Sequence, residues 1–194
     1  CSGAGTTQMC IMLAVFMGKV LKKKTAVAGD EVTYSLMLRQ MQKASAIQHK
    51  GIASRHAYSM DGIDYYCGIR DEDIGILRQK YDVIILDISF ENTFDNTNVT
   101  FARMVSRLSA CDEKILAGSM LPWKSRECEK KMERIERFLD IRGLKMVTLA
   151  ACDKEAVSII KKHGVEVVLI PFERNPFVIS GENLRSFLEL LKIT

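Results

Sequence analysis

From residue 71 to the end, short apolar runs alternate with amphipathic stretches, and this alternation constrains the fold more than any other property of the chain. Val83-Ile84-Ile85-Leu86 is a continuous apolar run ending at Asp87, the pattern of a strand covered on both faces. Ile115 to Ala117, Lys145 to Ala150 and Val165 to Ile170 repeat it. Between these runs the expected helices are Asp71 to Gln79, Val99 to Ser109 and a segment carrying Cys128, Met132, Ile135, Phe138 and Leu139 on one face. Lys154 to Lys162 and a last helix with Leu184, Phe187, Leu188 and Leu191 complete the series. Strands alternating with helices predict an α/β fold, with a doubly wound, mainly parallel sheet and helices on both faces. A length of 194 residues predicts a single domain covering the whole chain.

Earlier in the chain, Met9, Met12, Leu13, Phe16, Met17 and Val20 recur at helical spacing and predict a helix from about Thr7 to Lys22. Cys10, Ile11, Ala14 and Val15 make its other side apolar as well, so it is expected to be buried on most of its circumference. Thr25 to Ala28 reads as a strand ending at Gly29-Asp30-Glu31, followed by a helix around Val32 to Lys43. Residues 44 to 69 carry the weakest pattern, with short strands expected near Ile52 to Ala57 and Ile63 to Tyr66. A glycine-rich turn opens the chain, and residues upstream of Cys1, including a strand leading into that turn, are expected.

Composition removes several classes of function. A hydrophobic fraction of 47% with 27% charged residues is that of a folded globular chain, which excludes wholesale disorder and collagen-like repeats. The 28 basic residues exceed the 24 acidic ones by a net charge of only +4. Lys22-Lys23-Lys24, Lys130-Lys131 and Lys161-Lys162 fall at helix ends or surfaces, where a solvated face explains them; contact with nucleic acid is the alternative. Six cysteines without a C-x-x-C pair indicate neither a zinc site nor a disulfide framework, and reduced thiols in the cytoplasm are the expectation. The longest apolar run, Met9 to Met17, is about half the ~20 residues that cross a bilayer, so no transmembrane helix is expected. His49, His56 and His163 read as surface or loop residues, Cys10 as a core side chain and Trp123 as a packing anchor. The polar face of the last helix carries Glu182, Arg185 and Glu189, which favours core packing over a membrane surface.

The segment that carries chemistry is Ser2-Gly3-Ala4-Gly5-Thr6-Thr7, which runs straight into the first helix. Two glycines let the backbone curl around an anion, and the amides of a helix start point at it with the helix dipole behind them. A full phosphate loop, G-x-x-x-x-G-K-[ST], follows its last glycine with a lysine and then a hydroxyl for Mg²⁺. Here Thr6 occupies the lysine position and Thr7 the hydroxyl position. In isolation the same residues read first as a plain turn whose Thr6 or Thr7 caps the helix. The second signal is Tyr81-Asp82-Val83-Ile84-Ile85-Leu86-Asp87, an apolar strand ending in an acid, the form of a Walker B strand.

The order of the glycine turn and helix, a strand ending near Asp30, the YDVIILD run and a last strand entering Ile170-Pro171-Phe172-Glu173 resembles the ParA/MinD group of P-loop ATPases over nearly the whole chain. The substituted turn, with the segment Gly118 to Lys124, is similar to that of the degenerate TadZ-like members encoded with pilus systems. The resemblance implies ATP or ADP held with Mg²⁺: phosphates on Gly3, Ala4, Gly5, Thr6, Thr7 and Gln8, the base against Pro171, Phe172 and Glu173, and the metal at Thr7 and Asp87. The water-activating position of the group falls at Asp30 or Glu31 or, in another alignment, at Gly29. The group's two lysines, near Ser2 and at Thr6, are both absent, which implies a weak ATPase at most. Further implications are a homodimer, partners in a pilus or secretion apparatus, and a cytoplasmic protein placed peripherally at the membrane or cell pole. Two rivals follow from the same residues. One is an active ATPase that recruits Lys19, Lys124 or a partner's arginine; the other is a DNA partition protein.

Overall fold

A computed structural model describes residues 5–29, 45–47, 52, 56–88, 98–119, 121–140, 144–149 and 154–193. Gly3, Ala4, Asp30, Glu31, the helix expected over residues 32–43 and His49 lie outside the described residues, as does the side chain of Trp123. The chain divides into two compact units, one formed by residues 10–89 and 175–179, the other by residues 1–9, 90–174 and 180–194.

The first unit is built on a five-stranded sheet. Its strands are β1 (Thr25–Gly29), β2 (Ser45–Ala46), β3 (His56–Met60), β4 (Ile63–Cys67) and β5 (Val83–Leu86), in the order β2-β3-β4-β1-β5. β1 is parallel to both neighbours, with Thr25 opposite Ile63 on one side and Val83 on the other, while β2–β3 and β3–β4 are antiparallel. β1 takes an interior place, between β4 and β5, because Thr-Ala-Val-Ala fits between two faces. Thr25 to Ala28 are all buried, and alternate residues point opposite ways. Val27 packs with Cys10, Ile11, Ala14 and Val15 of helix α1 (Thr6–Val15), together with Tyr65 and Ile85. Ala26 and Ala28 face the other way, and their small side chains make room for Tyr66 and Tyr81 beside Leu77 of helix α2 (Asp71–Arg78). This sheet therefore carries a helix on each face, as the alternation predicts.

Local chemistry sets the boundaries. The helix expected from Thr7 to Lys22 is α-helical to Val15 and then widens to a π turn over Phe16–Val20. Gly18 sits in that turn, where a Cβ would lie 2.9 Å from Ile63 Cγ1. Beyond the turn Lys22 adopts φ 56°, which stops the helix. β3 and β4 are joined through Asp61 (φ 54°) and Gly62 (φ 80°), the two left-handed residues of a tight hairpin turn that Asp-Gly favours. The Asp-Gly pair fixes β3 at His56–Met60, later in the chain than the strand expected near Ile52 to Ala57. At the start of α2, the buried carboxylate of Asp73 accepts the Arg70 backbone N–H at 2.9 Å. The YDVIILD run is covered on both faces as expected, with Val83 and Ile85 on the α1 side and Ile84 and Leu86 on the α2 side; among the described residues β5 pairs with β1 alone, and of its four residues only Ile85 is fully buried.

The second unit holds a parallel sheet in the order β6-β7-β8, from Ile115–Ala117, Lys145–Thr148 and Glu166–Leu169. Its helices are α3 (Asn98–Ser109), α4 (Pro122–Glu136), α5 (Lys154–Lys161) and α6 (Gly181–Leu191). Cys128, Met132 and Ile135 of α4 close on Leu144, Met146, Ile160 and Val165, the predicted apolar stripe. Phe138 does not continue that stripe. It follows the end of α4, is 61% exposed and meets Phe101 edge-on at 5.2 Å between ring centres. α6 packs along β8 and buries Asn183, Phe187 and Leu190, spaced at helical i, i+4 and i+7, while Leu184, Leu188 and Leu191 flank them half-buried. Burial of that face agrees with the core role expected for the last helix. Across the two sheets four strand pairs are parallel and two antiparallel. No helix among the described residues is long and apolar enough to cross a membrane.

Candidate functional site

Gly5 adopts φ +78°, and a Cβ built on it would lie 2.5 Å from Leu149 Cδ1. Leu149 is the residue after the last one of β7, so the glycine turn lies at the carboxyl end of a parallel strand, where open α/β sheets bind ligands. The left-handed φ favours glycine here, and any other residue would also have to push the end of the Leu149 side chain aside. The helical ladder of α1 begins with Met9 N–H donating to Gly5 C=O at 2.8 Å. The N–H groups of Thr6, Thr7 and Gln8 therefore precede that ladder, at the positive end of the helix dipole.

A second loop comes to the same turn. Gln8 donates through Nε2 to the backbone carbonyl of Glu173 at 2.5 Å. Glu173 lies past the end of β8 in the Ile170-Pro171-Phe172-Glu173 segment, and Ile170 N–H still pairs with Thr148 C=O at 3.0 Å. From there the chain turns outward: Pro171 and Glu173 are half-buried, and Phe172 is 66% exposed. The Glu173 carboxylate in turn accepts a hydrogen bond from Asn183 Nδ2 at 3.1 Å. The structure thus brings together Gly5, Gln8 and Glu173, which the sequence reading placed at opposite ends of one ligand.

Asp87 follows β5 and donates its backbone N–H to Ala28 C=O at 2.8 Å. It stands at the carboxyl end of its strand, as the Walker B reading expects, in the unit that does not contain Thr7. Lys19 is removed from the candidates for a recruited cation. It lies in the last turn of the first helix, at the opposite end from Thr6, and its Nζ is 2.6 Å from Asp61 Oδ2 at the hairpin turn. The lysine clusters are also partly engaged. Lys24 lies over the Tyr81 ring at 5.2 Å, and Lys131, with only 10% of its side chain exposed, pairs with Glu127 at 2.8 Å. That pairing, mainly through the hydrogen bond from Lys131, holds the Glu127 carboxyl below its ordinary range. No group of three or more metal-ligating side chains occurs among the described residues.

Asn183 is the residue that sequence reasoning missed. Its signal was a polar side chain in line with Phe187 and Leu190, three residues after Ser180, whose hydroxyl caps α6 by accepting the Asn183 N–H at 3.2 Å.

The sequence matches no known family model and no curated protein. The fold is similar to that of the MinD cell division protein of Aquifex aeolicus, with a TM-score of 0.67 at 13% identity, over 99% of this chain and 93% of that one. It is also similar to MinD in the MinC:MinD cell division protein complex of the same organism, with a TM-score of 0.69 at 14% identity, over 100% of this chain and 93% of that one. The likeness is one of fold: a mixed α/β chain with mostly parallel strands, arranged as in MinD.

Proposed function

We propose that this chain is a ParA/MinD-type nucleotide-binding protein whose phosphate turn has lost its ammonium groups, and that it acts as a TadZ-like localisation or assembly factor for a pilus or secretion apparatus. The observation that carries this reading is the Gly5 turn, set against the carboxyl end of β7 and opening α1 with Thr6 where a lysine would stand. The turn suits a phosphate because Gly5, at φ +78°, leads the chain straight into the amides that open α1.

In this reading Gly3, Ala4, Gly5, Thr6, Thr7 and Gln8 present backbone amides to the phosphates of ATP or ADP, and Pro171, Phe172 and Glu173 border the base. Thr7 and Asp87 are the residues that would hold Mg²⁺. Bound metal supplies counter-charge to the phosphates. The chain itself binds and orients them, but at Thr6 it offers a hydroxyl instead of a cation. Loss of one such electrostatic donor costs on the order of 3 kcal/mol in the transition state, a hundredfold or more in rate. Binding therefore survives better than hydrolysis. The reading further includes a homodimer and a protein partner; one of the fold neighbours is a MinC:MinD complex, which is a precedent for such a partner.

Calorimetry with ATP and Mg²⁺, paired with a phosphate-release assay, tests this. Weak binding with turnover far below that of intact ParA proteins is expected, and turnover equal to theirs overturns the reading. Thr7→Ala and Asp87→Ala separate the rivals. A scaffold keeps its partner when either is changed, whereas an ATPase using Lys124 or a partner's arginine loses all turnover. Salt-sensitive binding to random duplex DNA would support the partition reading instead.

A further inference from the structure

Glu173 is held from two sides. Gln8, in the first turn of α1, donates to its backbone carbonyl at 2.5 Å, and Asn183, in the first turn of α6, donates to its carboxylate Oε2 at 3.1 Å. Asn183 is fully buried on the face it shares with Phe187 and Leu190. Its Oδ1 is also buried and has no hydrogen-bond partner among the described residues. A buried amide with an orphaned acceptor is less favourable than an apolar side chain of the same size, because the carbonyl oxygen has given up water for nothing. Stability therefore does not explain an asparagine at this place. What the amide does that a leucine cannot is grip Glu173 from behind, while Gln8 grips it from the side of the glycine turn.

We infer that Gln8, Glu173 and Asn183 form a strut that fixes the base-bordering loop at a set distance from the phosphate turn, with Gln8 and Asn183 as positioning residues. The inference rests on the nucleotide reading proposed above and assigns these residues a task within it. A ligand with a phosphate end and a base end gains from both contacts only if the protein holds the two subsites at the ligand's own span; otherwise ordering the loop uses up the gain. With the strut in place the base adds to the affinity of the phosphates. With it cut, the phosphates bind alone. Only the advantage of a nucleotide over an inorganic phosphate chain reports on the strut, and a change in folding stability leaves that ratio unmoved.

The test is calorimetry of the whole chain with ADP and with inorganic pyrophosphate, both with Mg²⁺, for the parent, Asn183→Leu and Asn183→Ala. Both variants cut the bond to the Glu173 carboxylate, one keeping the volume of the buried side chain and the other not, so agreement between them separates the lost bond from packing. Both are expected to bind pyrophosphate within about twofold of the parent and ADP about tenfold more weakly, the worth of one charge-assisted hydrogen bond. Asn183→Leu is expected to melt at or above the parent temperature, since it removes the orphaned oxygen. An ADP-to-pyrophosphate ratio unchanged in Asn183→Leu overturns the strut and leaves the nucleotide reading standing, and Asn183→Ala decides in the same way should the leucine variant fail to fold. So does a parallel loss of both ligands. A parent that binds neither ligand overturns the nucleotide reading and the strut with it.

Discussion

Replacing Gly5 by alanine puts two separable strains on the turn. The first is conformational: φ +78° lies in the left-handed region, where a Cβ costs about 1–2 kcal/mol. The second is steric, because the new methyl would lie 2.5 Å from Leu149 Cδ1 and 3.6 Å from its Cγ. Only the end of a flexible, half-buried side chain is in the way, so Leu149 can swing aside at about 0.5–1.5 kcal/mol for an unfavourable rotamer. The sum is a loss of about 1.5–3.5 kcal/mol in urea unfolding, read at constant m-value. Shortening the neighbour dissects it: in the cycle with Leu149→Ala, only the steric part is recovered, a coupling of about 1 kcal/mol between residues in contact. Gly75 is the control. It lies within α2 at no positive φ and with nothing within 4 Å of an added Cβ, so Gly75→Ala should stabilise by about 0.5–1 kcal/mol. A Gly5→Ala chain as stable as the parent, or one whose loss is independent of residue 149, would refute the placement of the turn against β7.

Two further predictions concern titrating groups. Burial, the first cause for all three, raises the phenol pKa of Tyr65, Tyr66 and Tyr81, and Tyr81 is held further by donating to Asp64 Oδ2 at 2.6 Å. The folded state thus keeps protons that the unfolded chain loses near its ordinary value of about 10. Stability should be level below that pH and fall above it. Tyrosinate absorbance from these residues should rise only together with loss of the circular dichroism signal; ionisation in a fully folded chain would contradict their burial. For the thiols, burial raises the Cys128 pKa, while Cys111 is the one partly exposed cysteine among Cys10, Cys67, Cys111 and Cys128. Mild alkylation of the native protein at pH 8 should modify Cys111 before the other three, and mass spectrometry of the peptides would expose any other order.

The parts of the fold legible in the sequence are those where one physical pattern acts alone. Met9 to Phe16 are apolar nearly all round, and they lie in a helix buried on most of its circumference. Cys128, Met132 and Ile135 mark a single face and are buried together. The misreadings fall where a second force competes. Val83 to Leu86 is covered on both faces, as its pattern says, yet hydrophobicity does not report how many neighbours a strand has, and among the described residues β5 pairs with β1 alone. Phe138 continues the spacing of α4 on paper, but the helix stops at Glu136 and the ring turns to Phe101. Asp61-Gly62 was a strong local cue for the hairpin. The weak apolar pattern on either side hid it, because β3 alternates only loosely, with His56 and Ser59 among its residues.

The candidate site divides along the same line. Glycines and a helix start are visible in a string of letters because their chemistry is local, whereas the meeting of Gln8, Glu173 and Asn183 depends on where β7 and β8 deliver the chain. Asn183 shows why such residues are hard to read. On the apolar face of α6 an asparagine resembles an error in the stripe, and its isolated effect on stability is unfavourable. Its sense comes only from Glu173, ten residues earlier, and from Gln8, 165 residues from Glu173 along the chain. A polar residue that breaks an otherwise clean apolar stripe is thus a sequence-level pointer in its own right. Where the surrounding pattern is strongest, an exception that costs stability must be offset by something outside the helix that carries it.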